Sequence, residues 1–278
     1  MVNIGYHVAK IQGNFFRNVY KSSLSNLVSF PIKQERQVPI KVYALSCERD
    51  LPEQVASLRS FLRNVGIPQT FTIISDGSYT AKSCELLRKV HECVDIILLE
   101  KLQRPDLPQC VYDYAKTQAM GKKLAALMSI PVDSPTIYTD SDILFFKGAS
   151  NLVDLATSTD KSIYYLPDCK NSFDRRLIYD PVEMDNPVNA GFILFKHYPN
   201  WDWAIARLQD LQEPPNYFSE QTIVNLTVKN EQGKPLDPKR YVLNVEDQFV
   251  YSDNTTGKAI AIRHYVSDVR HKFWLNVL

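Results

Sequence analysis

The sequence has no long hydrophobic run, no excess of charge of either sign and no internal repeat. No apolar stretch approaches the roughly 18 residues that indicate a membrane-spanning helix, so we expect none. The N-terminus has no compact apolar segment behind its charges, and we expect no signal peptide. The 32 Lys and Arg and 31 Asp and Glu leave a net charge of +1. That balance gives no reason to expect a nucleic-acid partner.

Cysteine is scarce and irregularly spaced. The five cysteines form no CxxC pair, and their odd number leaves at least one unpaired: Cys47, Cys84, Cys93, Cys110 and Cys169. This usage favours a reduced, intracellular setting, so we expect a cytoplasmic protein. Of the 278 residues, 45% are hydrophobic and 23% are charged, which suffices for one large core or two smaller ones.

Residues 1–38 differ from the rest of the chain and are expected to form a helical extension. Their apolar residues recur at helical spacing, with basic residues between them. The apolar set is Phe15, Phe16, Val19, Tyr20, Leu24, Leu27 and Val28, and the basic set is Lys10, Arg17 and Lys21. Two interpretations remain open: an extra helix packed on the domain or on a partner subunit, or an interfacial helix that brings the protein to a membrane-bound acceptor.

From residue 39 the chain alternates strand and helix patterns and predicts one catalytic domain, 39–278. The first half predicts strands at 40–46, 71–75, 94–99 and 136–139, and helices at 51–65, 79–90 and 112–130. The second half predicts strands at 162–166, 188–195 and 259–265, helices at 201–211 and 219–229, and a loop at 167–187. This order favours a layered α/β sheet with mainly parallel strands. Ligands of such sheets bind at the carboxyl ends of strands, here near Ser46, Asp76 and Asp140.

The segment 135–146 combines a buried strand, two carboxylates and a second apolar run. Asp140 and Asp142 are two residues apart, so on an extended chain they point to the same side. Two acids in a buried place favour a hard divalent cation with oxygen ligands. The alternative is a pair of acids that merely form the turn after the strand, and the apolar residues on both sides favour the metal.

These motifs resemble those of the nucleotide-sugar-dependent glycosyltransferases with the A-type fold, and the glycogenin-like branch is the most similar. Asp140-Ser141-Asp142 matches the DxD signature of that family. Four further matches follow in the family's order: Lys123-Leu124, Asn189-Ala190-Gly191, Glu220-Gln221 followed by Asn225, and His264 followed by Lys272-Phe273-Trp274. The chain departs from the pattern at Glu220, where the family has Asp, and after His264, where the spacing is longer and the usual Gly and Pro are absent.

The resemblance implies a metal site and a donor site. Asp140, Asp142 and His264 would bind Mn²⁺ or Mg²⁺, with the imidazole favouring Mn²⁺ and His271 as a substitute ligand. The residues expected to bind the nucleotide-sugar are Ser46, Lys123, Asp140, Ser141, Gly191 and Lys272. Arg270, His271 and Lys272 would either add charge-assisted bonds near the diphosphate or form a solvated tail, and both interpretations stay open. Lys122 and Lys123 face adjacent directions on a helix, so at most one is expected to point into the crevice.

The resemblance also implies catalytic residues, namely Glu220, Gln221 and Asn189, and a reaction that retains the anomeric configuration. If Glu220 were instead a general base, the configuration would invert. Trp201-Asp202-Trp203 and Tyr217-Phe218 would form either an aromatic acceptor platform or buried core.

The sequence therefore predicts a metal-dependent hexosyltransferase that uses a nucleoside-diphosphate-sugar, with a UDP-sugar favoured, and an acceptor of unknown kind. A non-catalytic nucleotide-sugar-binding or scaffold protein of the same fold is one alternative. A sugar-phosphate nucleotidyltransferase is another, although Ser46-Cys47-Glu48-Arg49-Asp50 has no glycine and so lacks the Gly-rich loop of that class. Homo-oligomerisation and peripheral contact with a membrane through residues 1–38 stay open.

Overall fold

Two β-sheets organise the part of the chain that the computed structural model describes, namely residues 3–255, 257 and 259–277. The strands are β1 (Gln37–Ser46), β2 (Ile67–Ser75), β3 (Val94–Leu98), β4 (Thr136–Thr139), β5 (Ile143–Phe145), β6 (Tyr164–Pro167), β7 (Val188–Phe195), β8 (Lys234–Pro235), β9 (Tyr241–Val242) and β10 (Ile262–His264). The α-helices are α1 (Ile4–Ser22), α2 (Leu24–Leu27), α3 (Leu51–Asn64), α4 (Ala81–Arg88), α5 (Leu99–Leu102), α6 (Gln109–Thr117), α7 (Ala119–Ser129), α8 (Leu152–Thr157), α9 (Asp202–Gln209) and α10 (Ser219–Asn230). Short 3-10 helices span Glu48–Asp50, Lys147–Asn151, Arg175–Leu177, Pro181–Met184 and Arg270–Leu275.

The larger sheet has seven strands in the order β3-β2-β1-β4-β7-β6-β8. Strands β1 to β4 run parallel to one another, and β7 is antiparallel to both of its neighbours, β4 and β6. The predicted layered α/β architecture with a mainly parallel, mixed sheet is therefore confirmed. Strand β4 lies between β1 and β7, and its four residues are all buried, which explains its β-branched and aromatic composition.

Two apolar cores lie on opposite faces of this sheet. Ile137 of β4 belongs to the core that includes α3, whereas Tyr138 belongs to the core that includes α7 and α10. Ile193 and Leu194 of β7 divide in the same way. Because successive strand residues point to opposite faces, this division gives a three-layer α/β/α arrangement.

The smaller sheet determines where the end of the chain meets the segment after β4. Its order is β5-β10-β9, and β10 pairs antiparallel with β5 so that His264 stands opposite Ile143. The N–H of Tyr265 then donates to the carbonyl of Asp142 at 2.9 Å. Residues more than 100 positions apart in sequence are thus fixed side by side.

The predicted long helix at 112–130 is wrong, because the structure has two helices, α6 and α7, there. Gln118 between them is extended (φ −141°, ψ 145°), and its side-chain amide donates to the carbonyl of Pro215 at 2.7 Å. Gly121 lies so close to the backbone of Tyr114 that a Cβ atom would overlap it. The two helices therefore fold tightly onto each other.

Residues of the N-terminal extension pack as an extra helix on the domain. Helix α1 buries Ala9, Gly13 and Tyr20, and it contacts the 3-10 helix 270–275, where Tyr20 stacks near Trp274 with ring centroids 5.1 Å apart. Among the described residues, no helix combines the length and the apolar character that crossing a membrane would require.

Candidate active site

A cavity of about 670 Å³ opens at the carboxyl ends of β1, β2 and β4. The ends of those strands contribute Ser46, Asp76 and Asp140 to its wall, as the strand-end argument predicted. The segments 264–270 and 217–221 contribute further wall residues. One crevice therefore collects polar groups from the whole length of the chain.

Asp140, Asp142 and His264 form a group that could hold a metal ion. One ligand atom from each lies within 4.8 Å of the others. The Nε2 atom of His264 is 3.1 Å from Asp142 Oδ1 and 3.8 Å from Asp140 Oδ2. Two carboxylates and one imidazole suit a divalent cation such as Mn²⁺ or Mg²⁺.

Asn189 and Gly191 of β7 orient the His264 ring. Nδ1 of His264 is 3.0 Å from Oδ1 of Asn189, an oxygen that can only accept, so Nδ1 carries the proton and donates. Nε2 is then the ring nitrogen that faces Asp142 and Asp140, and it is the atom that would bind a metal after giving up any proton it shares with Asp142. A Cβ atom on Gly191 would overlap Cε1 of the ring and lie 2.7 Å from Nδ1. The glycine therefore makes room for the histidine ring, and it also lines the cavity, where its predicted contact with the nucleotide-sugar stays a prediction.

The two aspartates differ in their other contacts. Asp140 accepts from Lys123 Nζ at 2.7 Å and from the hydroxyl of Tyr138 at 2.9 Å. Asp142 lies 3.7 Å from a guanidinium nitrogen of Arg270. Burial raises the pKa of Asp142, but His264, Arg270 and Lys123 outweigh it and lower the pKa to about 2. Asp142 is therefore an ionised carboxylate over the whole physiological pH range.

Lys123 keeps its charge in spite of burial. Burial lowers the pKa of this ammonium group, but Asp140 and Glu220 outweigh it and raise the pKa to about 12. Helix α7 places Lys123 in the wall of the cavity, with only 8% of the residue exposed. A fixed positive charge thus lies beside the candidate metal group.

Glu220 is a buried carboxyl in the cavity wall with an unsatisfied oxygen. Only 2% of the residue is exposed, and Oε1 has no hydrogen-bond partner among the described residues. Burial, with a smaller contribution from Asp140, raises its pKa to about 7, and Lys123 opposes the rise. Glu220 and Gln221 lie in the first turn of α10, which brings both to the cavity.

Asp168 is a cavity residue that the sequence reasoning missed. Its Oδ2 accepts from Asn189 Nδ2 at 2.9 Å and from Gln221 Nε2 at 2.8 Å, so it joins two of the predicted catalytic residues. It directly follows β6. The rule that ligands gather at strand ends could have identified it, had the rule been applied to that short strand as well.

The predicted role of Lys272 at the donor is wrong. Lys272 is fully buried. Its Nζ atom donates to the carbonyl of Ser252 at 2.7 Å and pairs with the Asp247 carboxylate at 3.1 Å. Arg270 faces the cavity instead and also donates to Asp50 at 3.0 Å. His271 packs edge-on against Tyr6 of α1 and is not part of the metal group.

The expectation that at most one of Lys122 and Lys123 points into the crevice is also wrong. Both line the cavity. Lys122 donates to the carbonyl of Asp76 at 3.2 Å, while the side chain of Asp76 accepts from the backbone and the hydroxyl of Ser78 and so forms a turn. The side chains are long enough to converge from adjacent helical positions because the cavity lies over the end of the helix.

The remaining predicted site residues divide between wall and core. Ser46, which accepts from the Tyr79 hydroxyl at 2.8 Å, and Ser141 both line the cavity. Tyr217 and Phe218 are exposed at its rim. Of the Trp201–Trp203 cluster, Trp201 is buried in the core, whereas exposed Trp203 stacks on the Arg207 guanidinium at 4.2 Å. Neither tryptophan lines the cavity.

Comparison of the structure with solved structures identifies glycosyltransferases. The galactosyltransferase LgtC, in complex with donor and acceptor sugar analogs, matches with a TM-score of 0.53 at 10% identity, over 85% of this chain and 94% of LgtC. Mouse xyloside xylosyltransferase 1 matches with a TM-score of 0.55 at 12% identity, over 84% of this chain and 99% of that protein. The glycosyltransferase GlyE of Streptococcus pneumoniae matches with a TM-score of 0.53 at 16% identity, over 87% of this chain and 61% of GlyE.

No protein-family model matches the chain, and no curated protein matches it in sequence. At these identities the structural matches establish the fold. The chain has the A-type glycosyltransferase fold, as the sequence predicted.

Proposed function

We propose that this protein is a metal-dependent glycosyltransferase that moves a hexose from a nucleoside-diphosphate-sugar, UDP-sugars first, to an acceptor hydroxyl. The observation that carries the proposal is the group of Asp140, Asp142 and His264 in a cavity that also presents Lys123 and Arg270. This cavity combines anionic ligands for a cation with cationic side chains beside them. It suits a diphosphate, because a diphosphate binds both the cation and the cationic side chains. The fold of known glycosyltransferases supports the same conclusion.

Asp140, Asp142 and the Nε2 atom of His264 would hold the cation. A divalent cation there supplies Lewis-acid stabilisation of the negative charge that grows on the departing diphosphate. We favour Mn²⁺ because one of the three ligands is an imidazole. Arg270 and Lys123 add charge-assisted hydrogen bonds to phosphate oxygens, and in this buried place such bonds are stronger than in water.

The sugar would lie against Asn189, Glu220 and Gln221. Asp168 holds the amides of Asn189 and Gln221, so their orientation is set before a ligand arrives. Preorganised polar groups lose little free energy to rearrangement when the transition state forms. Ser46 and Ser141 line the part of the cavity that we assign to the nucleoside.

We further propose that the anomeric configuration is retained. An inverting base must lie on the face of the sugar opposite the departing diphosphate, and therefore away from the metal. Glu220 interacts electrostatically with Lys123 and with the candidate metal ligand Asp140, and this supports a role other than that of an inverting base. NMR of the first product formed from an α-linked donor tests this: an α-product is expected, and a β-product contradicts retention.

Donor hydrolysis tests the main proposal. Purified protein is assayed with UDP- and GDP-sugars in Mn²⁺, in Mg²⁺ and in EDTA, beside the Asp142→Ala variant. Asp133→Ala is the matched control, because Asp133 is an exposed carboxylate that pairs with Lys41 away from the cavity. We expect turnover that requires the metal, is lost in Asp142→Ala and persists in Asp133→Ala. A folded protein that neither binds nor turns over any of these donors contradicts the proposal, and metal-dependent binding without turnover supports a non-catalytic binding protein.

The compartment of the proposed reaction follows from the cysteines. All five cysteines, among the described residues, are free thiols. We therefore propose that the protein draws on the nucleotide-sugars of a reducing, cytoplasmic compartment.

A further inference from the structure

Helix α1 has an exposed apolar stripe on the face opposite its contact with the domain. Five large apolar residues repeat at spacings of three and four along the helix and are between 42% and 73% exposed: Ile4, Val8, Ile11, Phe15 and Val19. Such spacing places them on one side of the helix. The stripe runs for about 22 Å at 1.5 Å per residue.

A second exposed apolar segment lies against the same helix. Phe249, Val250 and Tyr251 are each more than 40% exposed, and the Tyr251 hydroxyl donates to Gln12 of α1. The ring of Phe249 packs near the ring of Tyr6 in α1, with their centroids 5.7 Å apart. Exposed apolar side chains grouped along one side of a helix mark an interaction site rather than scattered surface residues.

The charge around the stripe has one sign. Residues 1–34 contain Lys10, Arg17, Lys21 and Lys33 and no Asp or Glu, while the remaining residues carry 28 Lys and Arg against 31 Asp and Glu. Arg17 is used within the protein, where it binds Glu53 at 2.6 Å. Lys10, Lys21 and Lys33 are exposed and have no carboxylate partner within the described part of the chain. Residues 1–34 therefore carry a net charge of +4 beside the exposed apolar stripe, whereas the remaining residues carry a net charge of −3.

We infer that α1 is an interfacial helix that binds the protein to an anionic lipid membrane. An apolar face with lysines at its flank is the pattern of helices that lie in the headgroup region, where the apolar residues enter the lipid and the lysines meet its phosphates. A second copy of the chain fits less well. Two such helices would bring lysines against lysines with no acid to pair them, and like charges across a helix pair oppose association.

The helix is braced against the wall of the catalytic cavity. Arg17 donates to the carbonyl of Arg49 at 2.6 Å, and Gly13 allows contact with the backbone of His271. Both Arg49 and Arg270, next to His271, line the cavity. Membrane binding would thus hold the cavity beside the lipid surface, where a lipid-linked acceptor would be found. The binding itself does not depend on the proposed transferase activity.

Co-sedimentation with vesicles tests the inference on the full chain. Vesicles of phosphatidylcholine, alone or mixed with phosphatidylglycerol, are compared at low and high salt. We expect binding to the mixed vesicles that weakens with salt and with omission of the anionic lipid. The double variant Ile11→Ser/Phe15→Ser is expected to lose roughly tenfold or more in affinity, because each residue gives up its transfer into lipid. Lys10→Gln/Lys21→Gln is expected to bind more weakly on the mixed vesicles only.

Val182→Ser is the matched control, since Val182 is 61% exposed on the 3-10 helix 181–184, away from α1. It should bind as the wild type does. Wild-type protein that stays in the supernatant, or equal binding by the wild type and the Ile11/Phe15 variant, overturns the inference. Light scattering that shows a dimer lost in that variant, without vesicle binding, assigns the stripe to a second copy instead. Unfolding curves and donor hydrolysis by the same variants keep failure of this inference separate from failure of the proposed activity.

Discussion

The pKa of a carboxyl group in the cavity depends on its neighbours more than on its chemical type. Glu220 and Asp142 are both buried carboxyls, yet burial raises the pKa of Glu220 to about 7, whereas around Asp142 the nearby cations overcome burial and lower the pKa to about 2. The difference is that His264 and Arg270 lie beside Asp142 and lower its pKa, whereas neither contributes to the pKa of Glu220. Two acids in one cavity can therefore serve as a metal ligand and as a group that holds a proton near neutral pH.

Replacing Glu220 by Gln is expected to stabilise the protein at alkaline pH. The native pKa of about 7 lies above the ordinary value of 4.5, so between these values the folded state holds a proton that the unfolded state has lost. Stability of the wild type therefore falls as pH rises through this window. At pH 8, urea unfolding should show a free energy of unfolding for Glu220→Gln that exceeds the wild-type value by on the order of a few kcal/mol. At pH 4 the two free energies should be about equal. A stability difference between Glu220→Gln and the wild type that is the same at pH 8 and pH 4 would contradict the raised pKa of Glu220.

Adding a methyl group at Gly191 is expected to disable the metal site. The new Cβ would overlap the His264 ring, so Gly191→Ala should lower Mn²⁺ affinity roughly tenfold or more, as losses at supporting residues do. Because the substitution acts through the histidine, Gly191→Ala and His264→Ala should not add in the double variant. Calorimetric Mn²⁺ titration of the four proteins measures this. Wild-type affinity in Gly191→Ala, or additive losses, would show that the glycine has no such role.

At the scale of elements, close backbone contacts fix how helices pack. Helix α1 has two glycines with different surroundings. A Cβ atom on Gly13 would clash with the carbonyl oxygen of His271, whereas the nearest atom to a Cβ on Gly5 is 3.5 Å away. The helix therefore needs glycine at one of these positions only.

The two alanine substitutions are expected to have opposite effects on stability. Gly5→Ala should raise the free energy of unfolding by roughly 0.5–1 kcal/mol, since alanine favours the helix. Gly13→Ala should lower it by about 1–3 kcal/mol, because α1 must move away from residues 270–275. Urea unfolding of both variants checks the sign. Equal effects would mean that α1 does not pack as described.

Elements with strong local patterns could be predicted from the sequence, and those that depend on distant contacts could not. Helix α3 and strand β7 begin and end within a residue of the predictions, because their apolar pattern and flanking turns are local. The break at Gln118 was missed, since it depends on a hydrogen bond to the carbonyl of Pro215, almost 100 residues away. Lys272 was misassigned because a 3-10 helix turns about every three residues, so Arg270 and Lys272 point in different directions.

The candidate site could be predicted only in part, because some of its residues also depend on distant contacts. The aspartates follow a strand whose composition marks it as buried, and this part needs no distant information. His264 came from the order of family motifs, and only the pairing of β10 with β5 brings it to the acids. The strand-end rule reaches Asp168 as a cavity residue, but its hydrogen bond with Asn189 and the orienting role of Asn189 depend on side-chain contacts that no spacing in the sequence reveals.

The molecule as a whole divides into a basic, apolar N-terminal surface and a cavity that combines acids with bases. Residues 1–34 carry four basic residues and no acid, and the cavity places Asp140 and Asp142 beside Lys123 and Arg270. Such a cavity is electrostatically balanced when a cation and a diphosphate enter together. Either one alone leaves charges of one sign unpaired, so the two are expected to bind cooperatively.

Calorimetric titration of UDP tests this central claim most directly. UDP is added to the wild type in Mn²⁺, to the wild type in EDTA, and to Asp142→Ala in Mn²⁺, with Asp133→Ala as the control. The account predicts UDP binding to the wild type and to Asp133→Ala in Mn²⁺, with at least roughly a tenfold loss in EDTA and in Asp142→Ala. UDP affinity that is unchanged by removal of the metal or of the Asp142 carboxylate would contradict it.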